Sequence, residues 1–258
     1  MPDHRPEPAG HREAGAVALT EQFDNHDGFR PEADASPAGV ELTIASVDSG
    51  AELTVELGAD GRARWSGAAS GEAPFEAFAV RGATVALASR LGERESVFAV
   101  VDRDRARVIA VHTVLAGGDE AEPREVSTYL QGGIDGPLTE PFEPTEELVG
   151  KRIRWTYSDT HVFEHIYLNP TAYCWHCVEG PERWIGDVDP CRTFLLADDL
   201  YLFSWSETVV PFNGAVIIDL RTMRSLGRFF GWDTDRRRAG QIVVGARGRV
   251  LNETVYGD

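Results

Sequence analysis

From Val40 onward, apolar and polar residues alternate in short runs and do not recur every three or four positions. Period-two alternation marks a half-buried β-strand, because successive strand side chains point to opposite faces. One series covers Val40–Ile44, Leu53–Leu57, Ala63–Trp65, Phe75–Val80, Thr84–Leu87, Val97–Val101, Val108–Val114 and Val126–Leu130. A second covers Arg152–Tyr157, Val162–Leu168, Ala172–Val178, Arg192–Leu196, Leu200–Glu207, Ala215–Asp219, Leu226–Trp232, Gln241–Ala246 and Val250–Tyr256. Turn formers such as Asp60-Gly61 and Asp102-Arg103-Asp104 separate the runs. No long amphipathic helix interrupts either series. Many short, evenly spaced strands predict an all-β protein built of antiparallel barrels or sandwiches.

The pattern also divides the chain. Residues 1–37 hold Pro, Ala, Gly, Glu and His with few apolar positions, as in a flexible arm. Within that arm, Leu19–Phe29 could form a short helical or docking segment. Residues 38–131 form a first strand unit, and 148–258 a second. Between them, residues 132–147 lack periodicity and hold Pro137, Pro141 and Pro144, as a linker would. An internal echo supports two copies of one unit. Val100-Val101-Asp102 followed by Arg107 parallels Ile217-Ile218-Asp219 followed by Arg224, each a strand entering a polar turn.

Composition narrows the function. A formal net charge of −17 argues against nucleic acid and anionic membrane surfaces, both of which need clustered Lys and Arg. No run of about 18 apolar residues suggests a membrane helix, and Met1–Glu7 lacks the apolar stretch of a secretory signal. A cytoplasmic protein is expected. Its three cysteines cannot all pair, which fits a reducing compartment. Cys174-Trp175-His176-Cys177 has CxxC spacing, but positions i and i+3 of a strand face opposite ways, and no second CxxC exists. These cysteines read as packing thiols.

Candidate chemistry concentrates in the second unit, which holds five of the six tryptophans. In Leu200–Glu207, alternation puts Tyr201, Phe203, Trp205 and Glu207 on one face. Three aromatics can wall a small-molecule pocket, and a carboxyl beside them would lose solvent and rise in pKa. At a solvated strand end the same carboxyl would do nothing. Trp155 shares a face with Tyr157, and Tyr173 with Trp175. Phe163, His165 and Tyr167 share a face opposite Glu164, so a His165–Glu164 metal pair is not expected, and His165 reads as an ordinary hydrogen-bonded strand residue. Arg183-Trp184 follows the turn Gly180-Pro181-Glu182. Its guanidinium is a candidate to keep Glu207 ionised or to clamp a substrate carboxylate.

The segments Tyr167-Leu168-Asn169, Tyr173-Cys174-Trp175, Asp187 to Cys191, Leu200 to Glu207 and Leu226-Gly227-Arg228 resemble the C-terminal region of the molybdenum cofactor biosynthesis protein F (MoaF) family. The first unit is similar more loosely, at Trp65 and Phe75-Glu76-Ala77. This resemblance implies two lipocalin-like (calycin) antiparallel β-barrels in tandem. More distantly, the second unit resembles the phenolic acid decarboxylases, which are cofactor-free barrels. Trp155-Thr156-Tyr157 matches their tyrosine pair with one member changed, Arg183-Trp184 matches their Arg-Trp, and Tyr201 with Trp205-Ser206-Glu207 matches their last strand.

That resemblance implies Glu207, Arg183 and Tyr157 as catalytic residues, and the aromatics gathered around them, Trp155, Tyr173, Trp175, Trp184, Tyr201, Phe203 and Trp205, are the expected substrate-binding residues. No cofactor and no metal are expected. An indole at 155 donates one hydrogen bond but is not a phenolic acid, which separates this chain from the decarboxylases. The expected activity is therefore lyase-like acid/base chemistry on a small aromatic or conjugated molecule: decarboxylation, dehydration or cyclisation. The alternative is a non-catalytic lipocalin-type binder, or an accessory protein of molybdenum cofactor metabolism. A homodimer through a barrel edge or through Leu19–Phe29 stays open.

Overall fold

A computed structural model of the chain describes residues 28–33, 37, 39–46, 50, 52–117 and 123–256. Most of the N-terminal arm, and Leu19–Phe29 up to residue 27, lie outside the described residues. The first barrel comprises β1 (Val40–Ser46), β2 (Glu52–Leu57), β3 (Arg62–Gly67), β4 (Gly71–Arg81), β5 (Thr84–Gly92), β6 (Glu95–Asp102), β7 (Arg107–Ala116) and β8 (Arg124–Ile134). The second comprises β9 (Lys151–Ser158), β10 (His161–Asn169), β11 (Ala172–Glu179), β12 (Gly186–Ala197), β13 (Leu200–Ser206), β14 (Phe212–Asp219), β15 (Arg224–Asp233) and β16 (Arg238–Glu253). Each barrel is an antiparallel meander closed by its first and last strands, β1 on β8 and β9 on β16. The expected tandem of all-β barrels is what the chain forms.

The internal echo falls on equivalent strands. Asp102 pairs with Arg107 across the β6–β7 hairpin, and Asp219 with Arg224 across β14–β15. These hairpins join the sixth and seventh strands of each barrel. Each also reaches into the other barrel: Arg107 Nη2 donates to the Leu196 carbonyl at 3.2 Å, and Arg81 Nη1 meets Asp219 Oδ1 at 3.2 Å.

Among the element boundaries that differ from the alternation pattern, two involve glycines. Gln241–Ala246 and Val250–Tyr256 are not separate strands. β16 runs continuously, pairing with β15 through Arg247 and with β9 from Arg247 onward. Gly248 reads as a breaker, but a Cβ there would stand 2.5 Å from the Trp155 ring, so this glycine serves a close approach. Likewise β8 continues through Gly132 and Gly133, so the connection starts at Asp135 and not at residue 132. A Cβ at Gly132 would stand 2.0 Å from the Thr43 carbonyl of the closing strand.

The connection is packed, not loose. Phe142 is buried between the barrels, with the Arg107 guanidinium 3.9 Å from its ring centre. The Gln131 side chain bonds both the N–H and the carbonyl of Phe142. Around it the outward faces of the barrels meet: Phe78, Phe98 and Val111 pack in one apolar cluster with Phe194, Leu202 and Ile217. Burying side chains of this size stabilises the pair by roughly 1.5–3 kcal/mol each. Arg228, from the resemblance segment Leu226–Arg228, is fully buried here and donates to Thr113 Oγ1 at 3.1 Å. Burial pulls its guanidinium down to about 9. Among the described residues, no helix is long and apolar enough to cross a membrane.

Candidate functional site

The alternation along β13 sends Tyr201, Phe203 and Trp205 into the second barrel and Leu202 into the interface. The same rule turns Trp155 and Tyr157 inward from β9, Phe163 and Tyr167 from β10, and Tyr173 and Cys177 from β11. The interior is thus filled by rings. Phe203 stacks on Trp205 at 5.5 Å and meets Tyr173 edge-on at 5.0 Å. Edge and stacked arrangements of this kind follow from the aromatic quadrupole.

At one end of the stack is a cavity of about 30 Å³. Tyr157, Tyr173, Trp175 and Trp205 line it with Glu207, together with Phe163, His165, Phe212 and Phe229. Glu207 directly follows β13, and its N–H donates to the Phe212 carbonyl at 3.0 Å, which holds the carboxyl at the barrel mouth. The next residue is pinned too: Thr208 donates through its N–H and its hydroxyl to Asp189 Oδ1, at 2.9 and 3.2 Å. Trp175 Nε1 donates to the other oxygen of Asp189 at 2.9 Å.

The electrostatics of this mouth are one-sided. Burial raises the Glu207 carboxyl well above its ordinary range, and Asp189, Glu182 and Asp187 push it further the same way. Asp189 is itself raised by burial, although Thr208 and Trp175 hold it back. Among the described residues, no basic side chain other than His165 lines the cavity. His165 is buried among Tyr173, Trp205 and Phe203, with ring centres 5.2, 5.7 and 6.1 Å away. Burial lowers it to about 3, so it is a neutral imidazole at neutral pH. Among the described residues, its Nδ1 and the Trp205 Nε1 are buried without hydrogen-bond partners. Buried polar atoms are nearly always satisfied, so two orphaned atoms on residues that line the cavity are unusual. Burial also raises the phenols of Tyr157 and Tyr173.

Five of the ten expected site residues line this cavity: Glu207, Tyr157, Tyr173, Trp175 and Trp205. Phe203 and Trp155 lie deeper in the packed core. Tyr201 sits at the far end of β13, where its hydroxyl donates to Glu147 Oε2 at 2.7 Å. Arg183 and Trp184 do not reach the cavity. They occupy the β11–β12 turn, closed by Arg183 N–H to Gly180 O at 3.2 Å and Trp184 N–H to Cys177 O at 2.9 Å. Trp184 is 68% exposed at a φ of 73°, and the Arg183 guanidinium lies 4.6 Å from its ring centre. A turn that reverses the chain this tightly directs the pair outward, so Arg183 does not stand beside Glu207. Phe163, His165, Phe212 and Phe229 join the site instead. His165 had a legible signal, because it alternates in phase with Phe163 and Tyr167.

Glu164 faces outward, as alternation requires, between Arg152 and Arg154, which donates to its Oε1 at 3.0 Å. Cys177 and Cys191 are buried free thiols raised to about 11 and about 12, as packing groups would be. Among the described residues no group of three or more His, Cys, Asp or Glu side chains is arranged to hold a metal ion.

Comparison with known proteins follows the same division of the chain. Residues 142–254 match the family described as the MoaF C-terminal domain. Protein MoaF of Klebsiella aerogenes is 42% identical over 111 residues, which is 43% of this chain. The chain thus matches 42% of that relative's own length. A protein of unknown function of the DUF3598 family from Nostoc punctiforme PCC 73102 covers 82% of this chain and 96% of its own, at 12% identity and a TM-score of 0.35. That likeness is too distant to carry an argument. The match covers the second barrel and the connection leading into it from Phe142, and that part of the chain is similar to a MoaF C-terminal domain.

Proposed function

We propose that the second barrel carries out cofactor-independent acid/base chemistry on a small aromatic or conjugated molecule, with Glu207 as proton donor. The observation that carries this reading is a desolvated carboxyl at the mouth of an aromatic cavity, with three further acids raising it electrostatically. A carboxyl held protonated in this way can donate a proton near neutral pH. Tyr157 and Tyr173 supply phenols that orient a substrate oxygen, and neutral His165 can accept a hydrogen bond at Nδ1.

The charge pattern selects among the expected reactions. Decarboxylation brings a carboxylate into the site, and Asp189, Glu182 and Asp187 repel one while Arg183 stands too far out to hold it. An uncharged or cationic substrate suits the mouth better. The cavity of about 30 Å³ has room for a water molecule or a small leaving group, which favours hydration or dehydration.

The test is product formation by the whole chain from hydroxycinnamyl alcohols and from hydroxycinnamic acids, followed by mass spectrometry in heavy water. Turnover of the alcohols, lost about 100-fold or more in Glu207→Gln with the fold retained, supports the reading. An undiminished rate in that variant would sink it. The tight filling of the interior favours a second reading, a non-catalytic binder, which predicts saturable binding at the same residues without chemical change.

A further inference from the structure

The first barrel contains the larger void. Its interior encloses a cavity of about 170 Å³, against about 30 Å³ in the second. Both barrels have eight strands, so their bores should be similar, and side-chain size decides how much is filled. Where the second barrel has Trp, Tyr and Phe, the first has alanine at several lining positions, among them Ala63, Ala99 and Ala110. Leucines, valines and Ile44 make up most of the remaining wall, with Trp65 and Phe75 as its two aromatic members. A cavity near 150 Å³ lined by such groups stays dry and takes up benzene.

Its few polar side chains are internally matched. Ser89 Oγ donates to the Pro74 carbonyl at 2.8 Å, and His112 Nε2 lies 2.7 Å from Glu95 Oε1. The His112–Glu95 pair is partly exposed, with side chains 27% and 42% accessible, and so stands where the cavity meets solvent. The interior therefore offers dispersion contacts, and its edge one polar pair.

We infer that the first barrel is a second, separate binding site for an uncharged apolar molecule of about six to eight non-hydrogen atoms. It takes a single ring or a branched chain, and a hydroxyl on that ligand meets the His112–Glu95 pair. Anionic ligands are disfavoured by the Glu95 carboxylate and by the chain's net charge of −17. The site shares no lining residue with the Glu207 cavity.

Titration of the full chain with toluene, 4-methylphenol and benzoate, read by methyl NMR, tests the inference. Toluene and 4-methylphenol are expected to bind with submillimolar affinity, shifting the methyl signals of Ala63, Ala99 and Ala110, and benzoate at least about tenfold more weakly. Ala99→Leu and Ala110→Leu, which fill the void, should each weaken toluene binding about tenfold or more and raise the melting temperature of the free protein. Glu207→Gln should bind toluene as the parent chain does, which separates this site from the one in the second barrel. Absence of saturable shifts, shifts confined to the second barrel, or unchanged toluene affinity in the filled variants would overturn it. Should one filled variant not fold, the other and the parent's methyl shifts decide the matter.

Discussion

The two barrels share strand number, direction, closure and even the position of an Asp/Arg hairpin, yet their interiors differ. The second is filled by interlocked rings and places its ionisable groups, Glu207 and His165, at the edge of a small gap. The first is walled mostly by aliphatic side chains, with Trp65 and Phe75 among them, around a void more than five times larger. A barrel's chemistry is thus set by what fills it, and its architecture says little on that point. Rings crowd out solvent and so perturb the groups they surround, whereas a wall rich in alanine and leucine leaves room.

The largest expected effect compares truncation in the two interiors. Phe203→Ala removes a fully buried ring from the packed stack and should cost about 3–5 kcal/mol of unfolding free energy in urea titrations. Leu87→Ala, which only widens an existing void, should cost less, near the lower end of the roughly 2–5 kcal/mol range. Equal costs would break the contrast in packing.

The second barrel should contribute two opposing limbs to the pH dependence of stability. His165 is lowered in the folded state, so its contribution is fully present above about 6.5 and is lost as pH falls toward about 3. The slope of that limb approaches 1.4 kcal/mol per pH unit. Glu207 is raised, so the stability it affects is fully present below its ordinary value of 4.5 and is lost as pH rises through the elevated one. His165→Phe should flatten the acid limb, and Glu207→Gln the upper limb, in urea titrations across pH 4–9. If neither limb changes, the site's groups are not perturbed as described.

A smaller effect concerns what joins the barrels. Arg81→Ala removes a partly exposed guanidinium from Asp219 and from the Asp198 carbonyl, and should cost about 1 kcal/mol. The loss should shrink in high salt, unlike that of Phe203→Ala. Indifference to both the mutation and salt would show that apolar contact alone joins the barrels.

Much of the fold was legible in the alternation, since half-buried strands write their two faces directly into sequence. The inward set Trp155, Tyr157, Phe163, Tyr173, Phe203 and Trp205 follows from that rule alone. Glycine was misleading where it serves close approach: Gly132 and Gly248 lie inside strands, and only their neighbours across the sheet reveal why. The Arg183-Trp184 pair matched a pattern in sequence, but a pattern does not state which way a turn points. His165 was legible by phase but looks like any strand histidine until rings are packed around it. The void in the first barrel was not legible, because a run of Ala and Val reads alike whether its neighbours fill the centre or leave it open.

The outward stripe of the second barrel, Phe194, Leu202 and Ile217, has a practical corollary. A fragment cut near residue 142, where the family match begins, would present this stripe to water. Apolar patches of that kind lead to self-association or precipitation. The first barrel thus serves the second as a permanent solubilising cover, a role that lasts whether or not either interior holds a ligand.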